Sequence, residues 1–177
     1  MTRAVFALSL CALLLAGCPD GGIQNRAVPA NTEETKDPQI LALRKAIKDV
    51  AERPEQEVEM IEVQHILISF QGANPQIKAT RSRDEAEKLT AGLLAKIQAG
   101  TDFSALMAEH SEDPGPGVYG MSKSKSRQDP ANNIVPRSNM VPAFSNVGWR
   151  LKVGEVGVAP YHGNDSPFGW HIIKRLK

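Results

Sequence analysis

Glu62-Val63-Gln64-His65-Ile66-Leu67-Ile68 and Phe168-Gly169-Trp170-His171-Ile172-Ile173-Lys174 are two apolar, β-branched runs near opposite ends of the chain, each with a histidine near its middle. Both read as β-strands. An imidazole buried in such a strand costs free energy unless its ring nitrogens find partners. Two such strands, with an acid and a hydroxyl elsewhere to complete a set, imply that the rings meet in one pocket.

Working outward from the first run, the strand extends over Val58–Phe70. Ile61, Val63, His65 and Leu67 share one face, and Met60, Ile66 and Ile68 the other, which predicts a central strand. A loop over 71–81 leads to Ser82-Arg83-Asp84-Glu85, a capping box. Ala86, Leu89, Leu93, Leu94 and Ile97 then recur at helical spacing, and Gly100 ends the helix. Thr101 and Asp102 can cap a second short helix, with Phe103, Leu106 and Met107 inward. The stretch from Ser111 to Asn139 is rich in loop signals, with a short strand at Val118–Met121. A third helix is predicted over Met140–Trp149, with Pro142 confined to its first turn. A turn at Lys152-Val153-Gly154-Glu155 precedes a strand at Val156–Ala159. The loop Tyr161–Pro167 and a last strand, Phe168–Leu176, complete the chain.

Upstream, Asp37-Pro38 starts a helix with Ile40, Leu43, Ile47 and Val50 on one stripe, and Arg53-Pro54 stops it. It is expected to dock as a cover on an apolar face. The order is strand, helix, helix, strand, helix, strand, strand. The class is α+β, with helices packed on a small four-stranded antiparallel sheet. There is no internal repeat.

At 177 residues and 41% hydrophobic content the chain can hold one ordinary domain with additions. Its net charge of +1 makes no case for a nucleic-acid partner. Arg3 followed by an apolar run from Ala4 to Ala16 reads as a signal peptide, too short to stand as a transmembrane span. It ends in Leu15-Ala16-Gly17-Cys18, which is similar to a bacterial lipobox, where the cysteine is lipidated and the preceding residues are removed. The expected organisation is therefore a signal peptide over 1–17, a lipidated Cys18 and flexible tether over 18–36, a helix and linker over 37–57, and the main domain over 58–177. As a random coil the tether reaches roughly 20–25 Å. The protein is expected to be extracytoplasmic and lipid-anchored. Pro19 and Asp20 after the cysteine favour the periplasmic face of the outer membrane if the cell has two membranes.

The segments from about Val58 to Lys177 resemble the parvulin family of peptidyl-prolyl cis/trans isomerases. The resemblance rests on several stretches in family order: Val63-Gln64-His65-Ile66-Leu67-Ile68, Gly100-Thr101-Asp102-Phe103, Ser111-Glu112-Asp113-Pro114 and Gly117-Val118-Tyr119-Gly120. Met140-Val141-Pro142-Ala143-Phe144, Leu151-Lys152-Val153-Gly154-Glu155-Val156 and the second histidine run follow. It implies that His65 and His171 are the paired core histidines and that Asp113 stands at a position shared by cysteine and aspartate. Ser166 falls where threonine or serine is usual. Met140 and Phe144 match the apolar wall that receives the proline ring, and Tyr119 stands where leucine is common. The stretch from Met121 to Asn139 is an insert relative to the family. The arginine pair of phosphate-reading members is not apparent between Gln71 and Ala79.

The resemblance implies an isomerase of X–Pro bonds in exported, partly folded polypeptides, needing no cofactor and no metal. In it His65, His171, Ser166 and Asp113 form one hydrogen-bonded chain. Because Asp113 is not a thiol, a covalent cysteine mechanism is excluded. Competing readings are a metal triad of His65, His171 and Asp113, and a serine hydrolase of Ser166, His171 and Asp113, which lacks a nucleophile elbow. A chaperone or peptide-binding module with little catalysis is the main alternative. Its insert carries Lys123, Lys125, Arg127 and Arg137, read as a solvated loop that can also attract acidic segments. Lys78 and Arg81 are read as solvated loop charges, and His110 and His162 as surface residues.

Overall fold

In the computed structural model, residues 35–124 and 128–177 are described, so Cys18, the signal segment, the tether up to residue 34, Lys125 and Arg127 lie outside the described residues. The chain runs α1 (Pro38–Ala51), β1 (Met60–Ile68), α2 (Arg83–Gln98), α3 (Phe103–His110) and β2 (Val118–Ser122). It continues through a 3-10 turn (Pro130–Asn132), β3 (Ile134–Pro136), a second 3-10 turn (Arg137–Asn139), α4 (Pro142–Arg150), β4 (Val156–Ala159) and β5 (Trp170–Arg175).

Local chemistry explains the helix starts. The Asp37 carboxylate accepts from the Gln39 and Ile40 amides, and Pro38 occupies the first turn of α1. At α2, Ser82 and Glu85 close the reciprocal capping box that their spacing predicts. Asp102 accepts from the Ala105 amide at 2.8 Å and begins α3. The fourth helix starts at Pro142 rather than Met140, because the proline fixes the first turn and Met140 stays extended.

The sheet has the order β3-β2-β1-β5-β4. Strand β1 is central and antiparallel to both β2 and β5, and β4 is antiparallel to β5. This corrects the four-stranded antiparallel expectation: the sheet is mixed and five-stranded, because β3 adds in parallel to β2. The extra strand comes from the insert. Ile134 and Val135 are a β-branched pair too short to stand out among polar neighbours. Asn133, in the left-handed region at φ 52°, turns the chain there, and its side-chain amide donates to the Val118 carbonyl. Gly120 leaves space for Ile134, whose Cγ1 would lie 2.9 Å from any Cβ at that position.

Near the end of the insert, Arg137 is tied down rather than solvated. Arg137 donates two bonds of 2.7 Å to Glu55, one of 2.6 Å to Asn146, and lies over the Trp149 ring at 4.7 Å. Arg150 binds the same Glu55 at 3.0 Å. Of the four basic residues of the insert, Arg137 is thus used internally, and Lys125 and Arg127 lie outside the described residues.

Alternation along β1 creates two cores. Ile66 and Ile68 pack with Leu43, Leu93, Leu106 and Ile172 under α1, α2 and α3. Ile61 and Val63 pack with Met121, Phe144, Trp149 and Ile173 beneath α4. Helix α1 is part of this fabric: Leu43 is fully buried. Leu43→Ala should therefore lower the unfolding free energy by roughly 2–5 kcal/mol, the cost of a truncated core leucine. A fall in the urea midpoint at unchanged m-value checks this; an unchanged midpoint would show that α1 is not an integral layer.

Candidate active site

Register brings the histidines together. His65 pairs with Ile173 across the β1–β5 ladder, and Leu67 pairs with His171. The two histidines are thus diagonal neighbours on one face, within reach of long and aromatic side chains. Their rings lie 5.3 Å apart at 22°, and His171 Nδ1 is 3.2 Å from His65 Nδ1. Both residues are 4% exposed, so the contact is out of water.

The segment after α3 supplies the acid. Glu112 N–H donates to the Leu67 carbonyl, Ser111 Oγ accepts from the Leu67 amide, and His65 N–H donates to the Gly117 carbonyl. These bonds seat residues 111–117 along β1 and place Asp113 Oδ2 2.9 Å from His65 Nε2. Tyr119 Oη–H donates to the same oxygen at 2.8 Å, and Gly115 N–H donates to Oδ1 at 3.2 Å.

The proton inventory follows. Burial alone would raise the Asp113 pKa, but the hydrogen bonds and charge interaction with His65, then those from Tyr119 and Gly115, hold it at about 2. The carboxylate is an acceptor only, so His65 Nε2 carries a proton. Burial, then the neighbouring His65, lowers the His171 pKa to about 3, so His171 is neutral. Between the rings, one of the two Nδ1 atoms donates to the other. His171 Nε2 has no hydrogen-bond partner.

Above this floor opens a cavity of about 340 Å³, lined by His65, Asp113, Tyr119, Met140, Phe144 and His171, with Leu67, Gln76, Ile77, Pro114, Asn139, Val141 and Phe168. Phe144 meets His65 and His171 edge-on at 5.0 and 5.4 Å. Met140 sits just before α4 and Phe144 in its first turn, so the two face one space without being one helical stripe.

Of the residues selected from sequence, the structure brings together His65, His171, Asp113, Tyr119, Met140 and Phe144. Ser166 is not in the histidine chain. Its hydroxyl donates to the Gly169 carbonyl at 3.0 Å, and it is fully buried. It closes the loop that carries Phe168 to the cavity. Directly after, Gly169 has φ 139° and a Cβ there would fall 2.2 Å from the Ile68 carbonyl oxygen, so no larger residue fits. The hydrolase reading fails on this arrangement. The metal reading fails because both ring nitrogens of His65 are engaged within the network.

Arg81 is also corrected. It is no solvated charge: it donates to the Ser69 carbonyl at 2.9 Å and to Glu112 at 2.5 Å. That clamp closes the 71–81 loop and sets Gln76 and Ile77 on the cavity rim. Sequence reading missed Ile77, although a lone isoleucine in a polar loop was a signal. Lys78 and His162 are exposed as expected, while His110 is partly buried with its Nε2 without a hydrogen-bond partner.

The buried neutral His171 should make the fold acid-sensitive. Below about pH 6.5 the unfolded chain protonates this ring, whereas the folded chain resists until about pH 3. The unfolded state then binds more protons, so stability falls as the pH falls. Asp113 adds a loss of the same sign only below its unfolded pKa of 3.8. Between about pH 7.5 and about 4.5, wild type should lose more unfolding free energy than His171→Gln in denaturant titrations. Equal losses would contradict a neutral buried ring.

Comparison with known proteins places these features. The PPIC-type PPIase domain family matches residues 47–177. The chain is 32% identical over 116 residues to chaperone SurA of Pseudomonas fluorescens, covering 66% of this chain and 22% of that protein. It is 32% identical over 105 residues to foldase protein PrsA of Geobacillus kaustophilus, covering 59% and 33%. It thus spans between about a fifth and a third of the length of these curated relatives. Among solved structures, peptidyl-prolyl isomerase ESS1 from Candida albicans superposes with a TM-score of 0.51 at 22% identity, covering 77% of this chain and 74% of that one, a likeness of fold. Since the family match runs through both histidine strands, the acid-bearing segment and the cavity wall, the chain belongs to the PPIC-type PPIase domain family, the parvulins.

Proposed function

We propose that the protein is a peptidyl-prolyl cis/trans isomerase that accelerates X–Pro rotation in exported, partly folded polypeptides by non-covalent stabilisation of the twisted amide. The observation that carries this is the cavity itself: an apolar wall of Met140, Phe144 and Tyr119 facing a floor of paired imidazoles and an ionised carboxylate.

Rotation about an amide is slow because resonance is lost at the twisted state, a barrier of about 18–20 kcal/mol. No bond has to be made or broken. Only interactions stronger with the twisted form than with the planar ones accelerate the step. A dry wall helps, because the twisted amide has the smaller charge separation. An anionic Asp113 adds to this, because negative charge near the substrate carbonyl opposes the resonance form that places negative charge on its oxygen. Differential stabilisation of about 4 kcal/mol gives roughly a thousandfold acceleration. In this reading Met140 and Phe144 hold the proline ring, Tyr119 flanks it, His65, His171 and Asp113 set the local field, and Ser166 holds the loop bearing Phe168.

The organisation around the domain belongs to the same proposal. Residues 1–17 act as a lipoprotein signal, Cys18 carries the lipid, and residues 18–36 tether the domain, with 37–57 leading into the fold over 58–177. The protein works outside the cytoplasm on the membrane surface, at the periplasmic face of the outer membrane in a two-membrane cell. Among the described residues no helix is long and apolar enough to cross a membrane. A second reading, a peptide-holding chaperone on the same fold, is favoured by the names chaperone and foldase borne by the relatives.

Steady-state isomerisation of short X–Pro peptides, varied at the residue before proline, separates the two. Isomerase action predicts a rate enhancement that Met140→Ala reduces roughly tenfold or more, the worth of lost apolar contact in a substrate pocket. Peptide binding without rate enhancement for any such residue would select the chaperone reading.

A further inference from the structure

The Tyr119 hydroxyl, at the cavity wall, is aimed at the acid of the site. It donates at 2.8 Å to the same Asp113 oxygen that accepts His65 Nε2–H at 2.9 Å. That hydroxyl has room only because residue 115 is glycine. A Cβ on Gly115 would lie 2.1 Å from Tyr119 Oη, and 3.3 Å from both Tyr119 Cζ and Asp113 Oδ2. Gly115 is not in the left-handed region, so its backbone does not require glycine. It is also exposed, where substitutions are ordinarily close to neutral. What the position excludes is a side chain between the phenol and the carboxylate.

We propose that Gly115 and Tyr119 form one positioning device for Asp113, which fixes the carboxylate against His65 and thereby holds a proton on His65 Nε2. The carboxylate sits on a loop, at the end of one aspartate side chain. Two donors from two directions, the Tyr119 hydroxyl on Oδ2 and the Gly115 amide on Oδ1, determine where it points. Removing the hydroxyl leaves Oδ2 with His65 as its single donor and the Gly115 amide on Oδ1. The acceptor of the His65 Nε2–H bond is then no longer fixed in place. Tyr119 and Gly115 are positioning residues, acting through Asp113.

This rests on the isomerase reading for its kinetic consequence only; the tautomer can be measured in any case. The test compares wild type, Gly115→Ala, Tyr119→Phe and the double variant, as the full chain. Imidazole nitrogen NMR reports which ring nitrogen is protonated, and X–Pro peptide kinetics report kcat and KM. In wild type, His65 should show a protonated Nε2 with a single sharp signal. Gly115→Ala and Tyr119→Phe should each give averaged His65 signals and a fall in kcat of roughly tenfold with KM little changed, the scale of one hydrogen bond to a charged group. The double variant should resemble Tyr119→Phe, because alanine at 115 has no hydroxyl left to displace. Wild-type His65 signals in Gly115→Ala or Tyr119→Phe, or additive kinetic losses in the double variant, would overturn the proposal. A wild type without isomerase activity would refute the isomerase reading and leave the NMR comparison to decide the positioning role.

Discussion

The structure turns on the contact between His65 and His171. Two imidazoles meet through Nδ1 atoms 3.2 Å apart in a setting where each is 4% exposed. Such a contact is tolerable only if one nitrogen donates and the other accepts. One proton is fixed from outside the pair, on His65 Nε2, by a carboxylate that can only accept. The loop carrying Asp113 is in turn held against β1 by backbone bonds to Leu67 and His65 and by the Ser111 hydroxyl.

The sheet exists in the form that makes this contact possible. Central placement of β1 gives it a partner on each side, with β2 carrying Tyr119 and β5 carrying His171. A one-residue slip of either strand would move its ring to the opposite face. Helix α4 then covers the same face and sets Phe144 across both imidazoles. Behind the sheet, α1, α2 and α3 bury the other face of β1, which keeps the register rigid. The Arg81–Glu112 clamp extends that rigidity to the loop on the cavity rim.

Much of this was legible in the sequence, for reasons that differ by element. The period of two in β1 and the caps at Asp37, Ser82 and Asp102 are local signals, and the structure shows each acting as its chemistry dictates. The meeting of His65 and His171 was inferable because buried imidazoles need partners. The fifth strand was not legible: three residues, Ile134 to Pro136, carry no period, and their pairing depends on the space that Gly120 leaves. Ser166 was assigned to the histidine chain by its position in the resemblance, but its hydroxyl is taken by the nearer Gly169 carbonyl. Arg81 looked like a loop charge because its partner Glu112 is distant in sequence. The hydroxyl of Tyr119 was invisible as an Asp113 donor because sequence shows a side chain's type and not its aim.

In the resulting account the polar floor holds protons still. Asp113 stays an anion, Tyr119 keeps its proton because burial and then the adjacent carboxylate push its pKa up, and His171 stays neutral. The floor supplies a fixed field to a rotating amide, and no proton transfer accompanies rotation. The most direct test is the solvent deuterium isotope effect on kcat/KM for an X–Pro peptide. A static field predicts a ratio close to one between water and heavy water. A ratio of about two or more would mean that a proton moves in the rate-limiting step, as general acid–base catalysis requires, and would contradict the account.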